Sequence, residues 1–200
     1  MVDGKVKNNV ERKMIAECAE VIPGVLDQKN PDGEILLYDA VMPGQIAPNG
    51  FLREYGKIRR VVADAMPFLE VGDVIVKRLN PDCAVVFDDT NIKALPSANL
   101  FVMRPHPGKL DPYYLAFILE NSNILSKISQ RSGIGSTVSV VTTNKLKCSE
   151  IPLPPIKEQR KLGALWQCMK KRNQLAVELI AENGRLLRSI GDRYFNYCNM

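Results

Sequence analysis

The segment Asp111-Pro112-Tyr113-Tyr114 comes closest to a catalytic motif in this 200-residue sequence. It approaches the Asp-Pro-Pro-Tyr motif with which adenine methyltransferases hold the target amino group. That chemistry also needs a second proline, a preceding parallel strand and a glycine-rich loop for the methionine part of the cofactor, and no such loop occurs upstream. An N-cap aspartate followed by proline at the first helical position explains the same residues. The segment therefore predicts a helix start.

Other catalytic patterns are incomplete. The single histidine, His106, lies between two prolines, so a nucleophilic mechanism would depend on one loop residue for its base. Residues 133–137, "GIGST", lack the spacing and the lysine of a phosphate-binding P-loop. Residues 11–13, "ERK", have the letters of a nuclease motif without a preceding acidic strand. We expect a chain with no catalytic residue and no metal site of its own.

Positive charge is concentrated in the second half of the chain. Residues 1–103 contain 12 Lys and Arg against 15 Asp and Glu, whereas residues 104–200 contain 15 against 7. Clustered cations attract phosphate groups through a salt-dependent interaction that is largely independent of sequence. A solvated helix face would explain the same charge, so both interpretations stay open.

Two short segments combine cations with hydrogen-bonding side chains, as DNA-reading surfaces do. In residues 53–60, "REYGKIRR", Tyr55 could stack or form a hydrogen bond, and the alternative is a solvated strand edge. In residues 129–137, "SQRSGIGST", two glycines would let the backbone approach a phosphate, and the alternative is a structural turn. The candidate DNA-binding residues are Arg53, Lys57, Arg59, Arg60, Gln130, Arg131, Ser132, Ser136 and Thr137.

The elements that must position these segments are mostly short strands. Residues 34–40, 73–79, 83–89 and 99–105 are apolar, rich in β-branched side chains and bounded by turn residues, which predicts four strands. Asn80-Pro81-Asp82 favours a hairpin between the second and third.

A helix is predicted after Pro112, because apolar residues recur at helical spacing as far as residue 130. Residues 136–143 then return to strand character. The first 150 residues therefore predict an α+β domain of mixed type that is rich in strands.

One long helix is predicted at the C-terminal end. Residues 157 to 196 contain no proline and carry a broad apolar stripe at heptad spacing, and at 1.5 Å per residue they would span about 60 Å. We expect the stripe to pair with another helix, and the alternative is a helix folded back on its own domain. Asn183 could fix the register of a pair or face water. The expected pairing residues are Leu162, Leu165, Met169, Leu179, Asn183, Leu186 and Ile190.

A proline-rich segment, "IPLPP", joins the two parts. Each residue before a proline is pushed towards extended geometry, so this segment predicts a stiff strap, and Pro155 with Glu158 suits a helix start. The sequence therefore predicts a domain at residues 1–150, a strap at 151–156 and a spacer or dimerisation helix at 157–200.

No apolar run reaches the length of a membrane helix, and the N-terminal residues lack the apolar region of a secretory signal. We expect a cytoplasmic protein that does not associate with a membrane.

Residues 133–163, "GIGSTVSVVTTNKLKCSEIPLPPIKEQRKLG", closely resemble the junction between a target recognition domain and its spacer helix in the specificity subunits of type I restriction-modification systems. Residues 70–78 and 111–122 resemble family segments more loosely. Four features of the family occur here in the family's order. They are a Gly-Ser-Thr turn at Gly135 to Thr137, a Leu-Lys pair at Leu146 and Lys147, the "IPLPP" strap at Ile151 to Pro155, and a Glu-Gln pair at the helix start, Glu158 and Gln159.

The resemblance implies a non-catalytic subunit that reads double-stranded DNA and directs methyltransferase and restriction subunits to a bipartite target. It also implies that S-adenosylmethionine, ATP and magnesium are held by those partner subunits. Family members usually carry two recognition domains and two spacer helices, whereas this chain has one of each and so resembles a half-subunit. A homodimer with antiparallel helices would rebuild the full arrangement and read an interrupted palindrome. A truncated piece of a longer subunit is the alternative.

A second class of function stays open. The chain could be a non-catalytic interaction adaptor whose long helix docks a partner protein. Affinity for random duplex DNA that falls steeply with salt would favour the DNA-reading function, because phosphate neutralisation releases counterions.

Overall fold

The computed structural model of the protein describes residues 10–28, 35–47, 50–61, 66–131 and 138–198. The chain divides into two compact units, Met1–Trp166 and Gln167–Met200. The strands in chain order are β1 (Arg12–Met14), β2 (Ala19–Pro23), β3 (Ile35–Val41), β4 (Gly56–Val61), β5 (Val74–Lys77), β6 (Ala84–Val86), β7 (Ala94–Pro96), β8 (Leu100–Pro105), β9 (Gln130–Arg131), β10 (Ser139–Val140) and β11 (Glu150–Pro152). The helices are α1 (Ile15–Cys18), α2 (Pro112–Asn121), α3 (Ile124–Ile128), α4 (Thr143–Lys147) and α5 (Ile156–Cys198), with a 3-10 turn at Pro43–Gln45.

A four-stranded antiparallel sheet in the order β2-β8-β5-β6 forms the centre of the first unit. Its strand β5 is buried on both faces. Val74 and Val76 pack in one apolar cluster with Leu115 of α2, whereas Ile75 packs with Leu100 in a second cluster. This explains the uninterrupted apolar run in β5, because a strand covered on both sides needs no polar alternation.

A smaller sheet has the order β4-β3-β7, in which β3 pairs antiparallel with β4 and parallel with β7. Ala40, Ile58 and Leu95 form its buried cluster. All four strands predicted from the sequence are present as β3, β5, β6 and β8, and the predicted hairpin joins β5 to β6, with Asn80 at a positive φ of 47°.

Two local predictions were wrong. The helix predicted from Pro112 to residue 130 is interrupted, because Ser122 ends α2 and Asn123 adopts a left-handed φ of 56°, a conformation that asparagine tolerates better than most residues. Residues 136 and 137 of the strand predicted at 136–143 lie outside the described residues, and in the described remainder only Ser139–Val140 form a strand. It ends where the Thr142 hydroxyl accepts a hydrogen bond from the Lys145 backbone at 3.4 Å and caps α4.

The predicted fold class is confirmed, since the chain combines mixed sheets with one C-terminal helix of 43 residues. Among the described residues, no helix combines the length and the apolar character needed to cross a bilayer. The described residues also contain no cluster of His, Cys, Asp or Glu suited to holding a metal ion.

Candidate nucleic-acid interface

Residues 56–60 of the first candidate segment lie on β4, at the edge of the smaller sheet, and residues 53–55 precede that strand. Lys57 and Arg59 are exposed and share one face of the strand, opposite the buried Ile58. Each is paired with a carboxylate. Lys57 Nζ lies 2.7 Å from Asp39 Oδ1 on β3, and Arg59 Nη2 lies 2.8 Å from Asp27 Oδ2. The hydrogen bond from Arg59 to Asp27 raises the pKa of the guanidinium. Because both pairs are exposed to water, a phosphate can compete for these cations.

The remaining residues of this segment differ in how much they are engaged. Arg60 is half-buried and donates from Nη1 to the backbone oxygen of Leu26 at 3.2 Å. The Tyr55 hydroxyl donates to Asp89 at 3.0 Å, and burial first, then this bond, raises the pKa of Tyr55. Arg53 is exposed, and among the described residues its side chain has no hydrogen-bond or ion-pair partner. Arg53 is therefore the cation of this segment that is most available to a ligand.

The second candidate segment contains β9, which pairs antiparallel with β10, and we refer to this strand pair as the β9–β10 hairpin. The structure describes only the backbone of Gln130 and Arg131, and Ser132, Ser136 and Thr137 lie outside the described residues. In the described part of the chain no hydrogen bond or ion pair joins this hairpin to the β4 segment.

The hairpin is held by the turn that follows β5. The Asn80 backbone donates to the Ser139 oxygen at 2.8 Å, and the Ser139 backbone donates to Asn80 Oδ1 at the same distance. The Val141 backbone donates to the Arg78 oxygen at 2.9 Å. Arg78 is an exposed cation beside the hairpin, with its guanidinium carbon 5.8 Å from the centre of the Phe101 ring. Sequence reasoning missed Arg78, because an isolated arginine at a strand end carries no pattern.

Helix α5 leaves its apolar stripe exposed. Leu179 is 62% exposed and Leu186 is 60% exposed, which is unusual for large apolar side chains repeated along one helix face. The side chains predicted to pair helices, namely Leu162, Leu165, Met169, Leu179, Asn183, Leu186 and Ile190, are all exposed.

The first turns of α5 belong to the first unit and are fastened there by Gln159, whose side chain is only 1% exposed. Its Oε1 accepts from the Asp111 backbone at 3.0 Å. Its Nε2 donates to the backbone oxygens of Pro154 at 2.8 Å and Lys109 at 3.1 Å. One buried amide thus ties together the strap, the loop before α2 and the start of α5. Sequence reasoning noted Gln159 as part of a resemblance and did not recognise this role.

Gly163 and Trp166 continue the contact with α2. A Cβ atom on Gly163 would lie 2.7 Å from Asp111 Oδ1 and 2.8 Å from the Tyr114 nitrogen, so only glycine fits there without displacement. Trp166 Nε1 donates to Glu120 Oε2 at 3.1 Å, near the other end of α2.

The first residues of the predicted strap belong to strand β11, which pairs antiparallel with β1 through Ile151 opposite Lys13, and its last residue, Ile156, already begins α5. The Tyr114 hydroxyl of α2 donates to the Pro152 oxygen at 3.0 Å, and burial raises the pKa of Tyr114 to about 12. The strap is thus bound on its path by both strand pairing and a side-chain hydrogen bond.

Comparison with known proteins gives a consistent result. No protein-family model matches the chain. It is 28% identical over 104 residues to the "Putative type I restriction enzyme MjaX specificity subunit" of Methanocaldococcus jannaschii, a match covering 48% of this chain and 24% of that protein.

Solved structures share the fold. The HsdS subunit from Thermoanaerobacter tengcongensis matches 91% of this chain and 48% of its own length, with a TM-score of 0.63 and 22% identity. A type I restriction-modification S subunit from M. genitalium matches 90% of this chain and 45% of its own, with a TM-score of 0.57 and 17% identity. A chain from a structure that concerns complex assembly and conformational transition of the type I R-M system matches 86% of this chain and 45% of its own length, with a TM-score of 0.63 and 21% identity.

The matches thus cover about a quarter of the curated relative and about half of each solved chain. Three of these relatives are described as specificity or S subunits. The chain therefore has the fold of type I specificity subunits and shares local sequence similarity with one of them, which confirms the resemblance recognised in its sequence.

Proposed function

We propose that this chain is a non-catalytic, DNA-reading specificity subunit of a type I restriction-modification system. The observation that carries the proposal is the junction between a mixed α+β domain and a long helix, found in a chain whose fold matches two solved S subunits over 90 and 91% of its length. The domain would read one half of the target, and Arg53, Arg78 and the β9–β10 hairpin would supply its first contacts with phosphates and bases.

The second part of the proposal is a homodimer. The exposed stripe on α5 needs an apolar partner, and a second copy offers an identical stripe. Antiparallel pairing of two α5 helices would hold two reading domains apart, and the target would be an interrupted palindrome. Methyltransferase and restriction subunits would join this dimer in the cytoplasm and would hold S-adenosylmethionine, ATP and magnesium.

The proposal is tested by reconstitution with the methyltransferase subunit encoded nearest to this chain, followed by mapping of the modified adenines. Adenines modified within a split sequence with inverted halves are the expected result. Modified adenines in a continuous or asymmetric sequence would contradict the homodimer, and no sequence-dependent modification would contradict the DNA-reading function.

An interaction adaptor is the second candidate, because the same exposed stripe could bind an unrelated helix. The two functions differ in their dependence on salt. A DNA-reading chain binds random duplex with an affinity that falls by orders of magnitude between about 50 and 200 mM salt, whereas an adaptor has no such dependence.

A further inference from the structure

The contact between α5 and α2 is built from two points that are far apart. The first is at Asp111, where Gln159 and Gly163 converge. The second is at Glu120, which accepts from Trp166 through Oε2 and from the Ala84 backbone through Oε1 at 3.0 Å. Glu120 lies nine positions after Asp111, which is about 13 Å along the axis of α2. Two contacts at this separation fix the direction of the first turns of α5, which a single contact would not do.

The contact at Asp111 tolerates little adjustment. Asp111 Oδ1 caps α2 by accepting from the Tyr114 backbone at 3.0 Å, so it cannot move away without losing the cap. Gly163 places the α5 backbone directly against this cap, because its missing Cβ would lie within 2.9 Å of three atoms there. The Gln159 amide uses both its oxygen and its nitrogen in buried hydrogen bonds, and any shift leaves polar groups unpaired.

We infer that Gln159 and Gly163 are positioning residues that determine which spacing between two half-sites the protein accepts; this rests on the function proposed above. Helix α5 runs continuously from Ile156 to Cys198, and its part beyond Trp166 is about 48 Å long. A tilt of about 10° at the junction would move the far end by about 8 Å, which exceeds two base pairs at about 3.4 Å each. Spacing selectivity therefore requires a rigid junction.

The test compares Gly163→Ala with Gly191→Ala. Both substitutions raise helix propensity within α5, but the new Cβ meets Asp111 only at position 163, and at position 191 no atom lies within 4 Å. A second pair is Gln159→Ala with Gln167→Ala, because Gln167 is exposed on the same helix. Thermal unfolding of each variant identifies any that fails to fold.

The probes are duplexes selected from a random library by the wild-type protein. One series keeps the two half-sites and lengthens or shortens the spacer by one or two base pairs, and another duplex carries a single half-site. We expect the wild type to lose about tenfold in affinity for each altered spacer. Gly163→Ala and Gln159→Ala should flatten or shift this profile by at least about threefold, and leave affinity for the single half-site within about twofold. The Gly191 and Gln167 controls should keep the wild-type profile.

The possible results distinguish a failure of the proposed function from a failure of the inference about Gln159 and Gly163. If the wild type selects no sequence, the proposed DNA-reading function fails; if it selects a target without two half-sites, the proposed homodimer fails. In either case this inference fails with it. If the wild type is selective for spacing but every folded junction variant keeps that selectivity, the inference alone is overturned. If Gly163→Ala does not fold, the comparison of Gln159→Ala with Gln167→Ala decides whether the junction sets the spacing.

Discussion

Replacing Leu186 by alanine tests the proposed helix pairing most directly. Leu186 is 60% exposed in the single chain, so about this share of its apolar surface is available to a partner. Removing three carbon groups costs about 2.4 kcal/mol for a fully buried side chain at about 0.8 kcal/mol each, hence about 1.4 kcal/mol here. A symmetric dimer contains the substitution twice. The dimer should therefore weaken by about 3 kcal/mol, or about 100-fold in its dissociation constant.

Val177→Ala is the matched control. Val177 is 59% exposed and lies nine residues before Leu186, which places it on the opposite face of the helix at 3.6 residues per turn. Both substitutions introduce alanine, the best helix former, so neither should unravel α5. We expect Val177→Ala to change the dissociation constant by less than about twofold.

Sedimentation equilibrium over a wide concentration range, in the absence of DNA, measures both constants. A wild-type chain that stays monomeric at micromolar concentration would refute the pairing itself. An unchanged dimer in Leu186→Ala, or an equal loss in Val177→Ala, would show that the stripe is not the interface.

Three further outcomes follow from local contacts. Asp111→Ala should lower the free energy of unfolding by about 1 kcal/mol in chemical denaturation, because the α2 cap is lost, and Asp111→Asn should lose much less. Burial raises the pKa of the Cys83 thiol to about 12, so iodoacetamide at pH 8 should label the exposed Cys148 before Cys83, as mass spectrometry of the native and unfolded protein would show. Arg53→Ala should reduce the slope of log affinity against log salt for duplex DNA by about one unit, and Arg59→Ala should reduce it less, because Asp27 already balances that charge.

Features set by neighbouring residues were predictable from the sequence. The cap at Asp111 with proline at the next position, and the extended backbone at Ile151 and Pro152, both depend on backbone chemistry within a few residues. Strand β5 was also predictable, because a short apolar run of β-branched residues bounded by turn residues is typical of a buried strand.

Features set by distant residues were not predictable. Strand β1 pairs with β11 across more than 130 residues, and neither strand has more than three residues to form a pattern. The break between α2 and α3 at Asn123 did have a local signal, since residues 121–123 are Asn-Ser-Asn, a turn-favouring run. The helical spacing of apolar residues continues on both sides of this run, and the sequence was therefore interpreted as one helix. The role of Gln159 depends on the loop and strap that fold around it, which no spacing in the sequence reveals.

The number of Lys and Arg residues overstates the positive charge that is available for the proposed contact with DNA. Arg104 is held by both oxygens of the buried Asp73, so its charge serves the fold. Arg59 is held by Asp27 in an exposed pair, which a phosphate could displace only by leaving a carboxylate close to the DNA. Arg53 has neither restraint among the described residues. Because only uncompensated cations release counterions in full, the salt dependence of binding should follow residues such as Arg53, and the formal charge of either half of the chain is a poor guide to it.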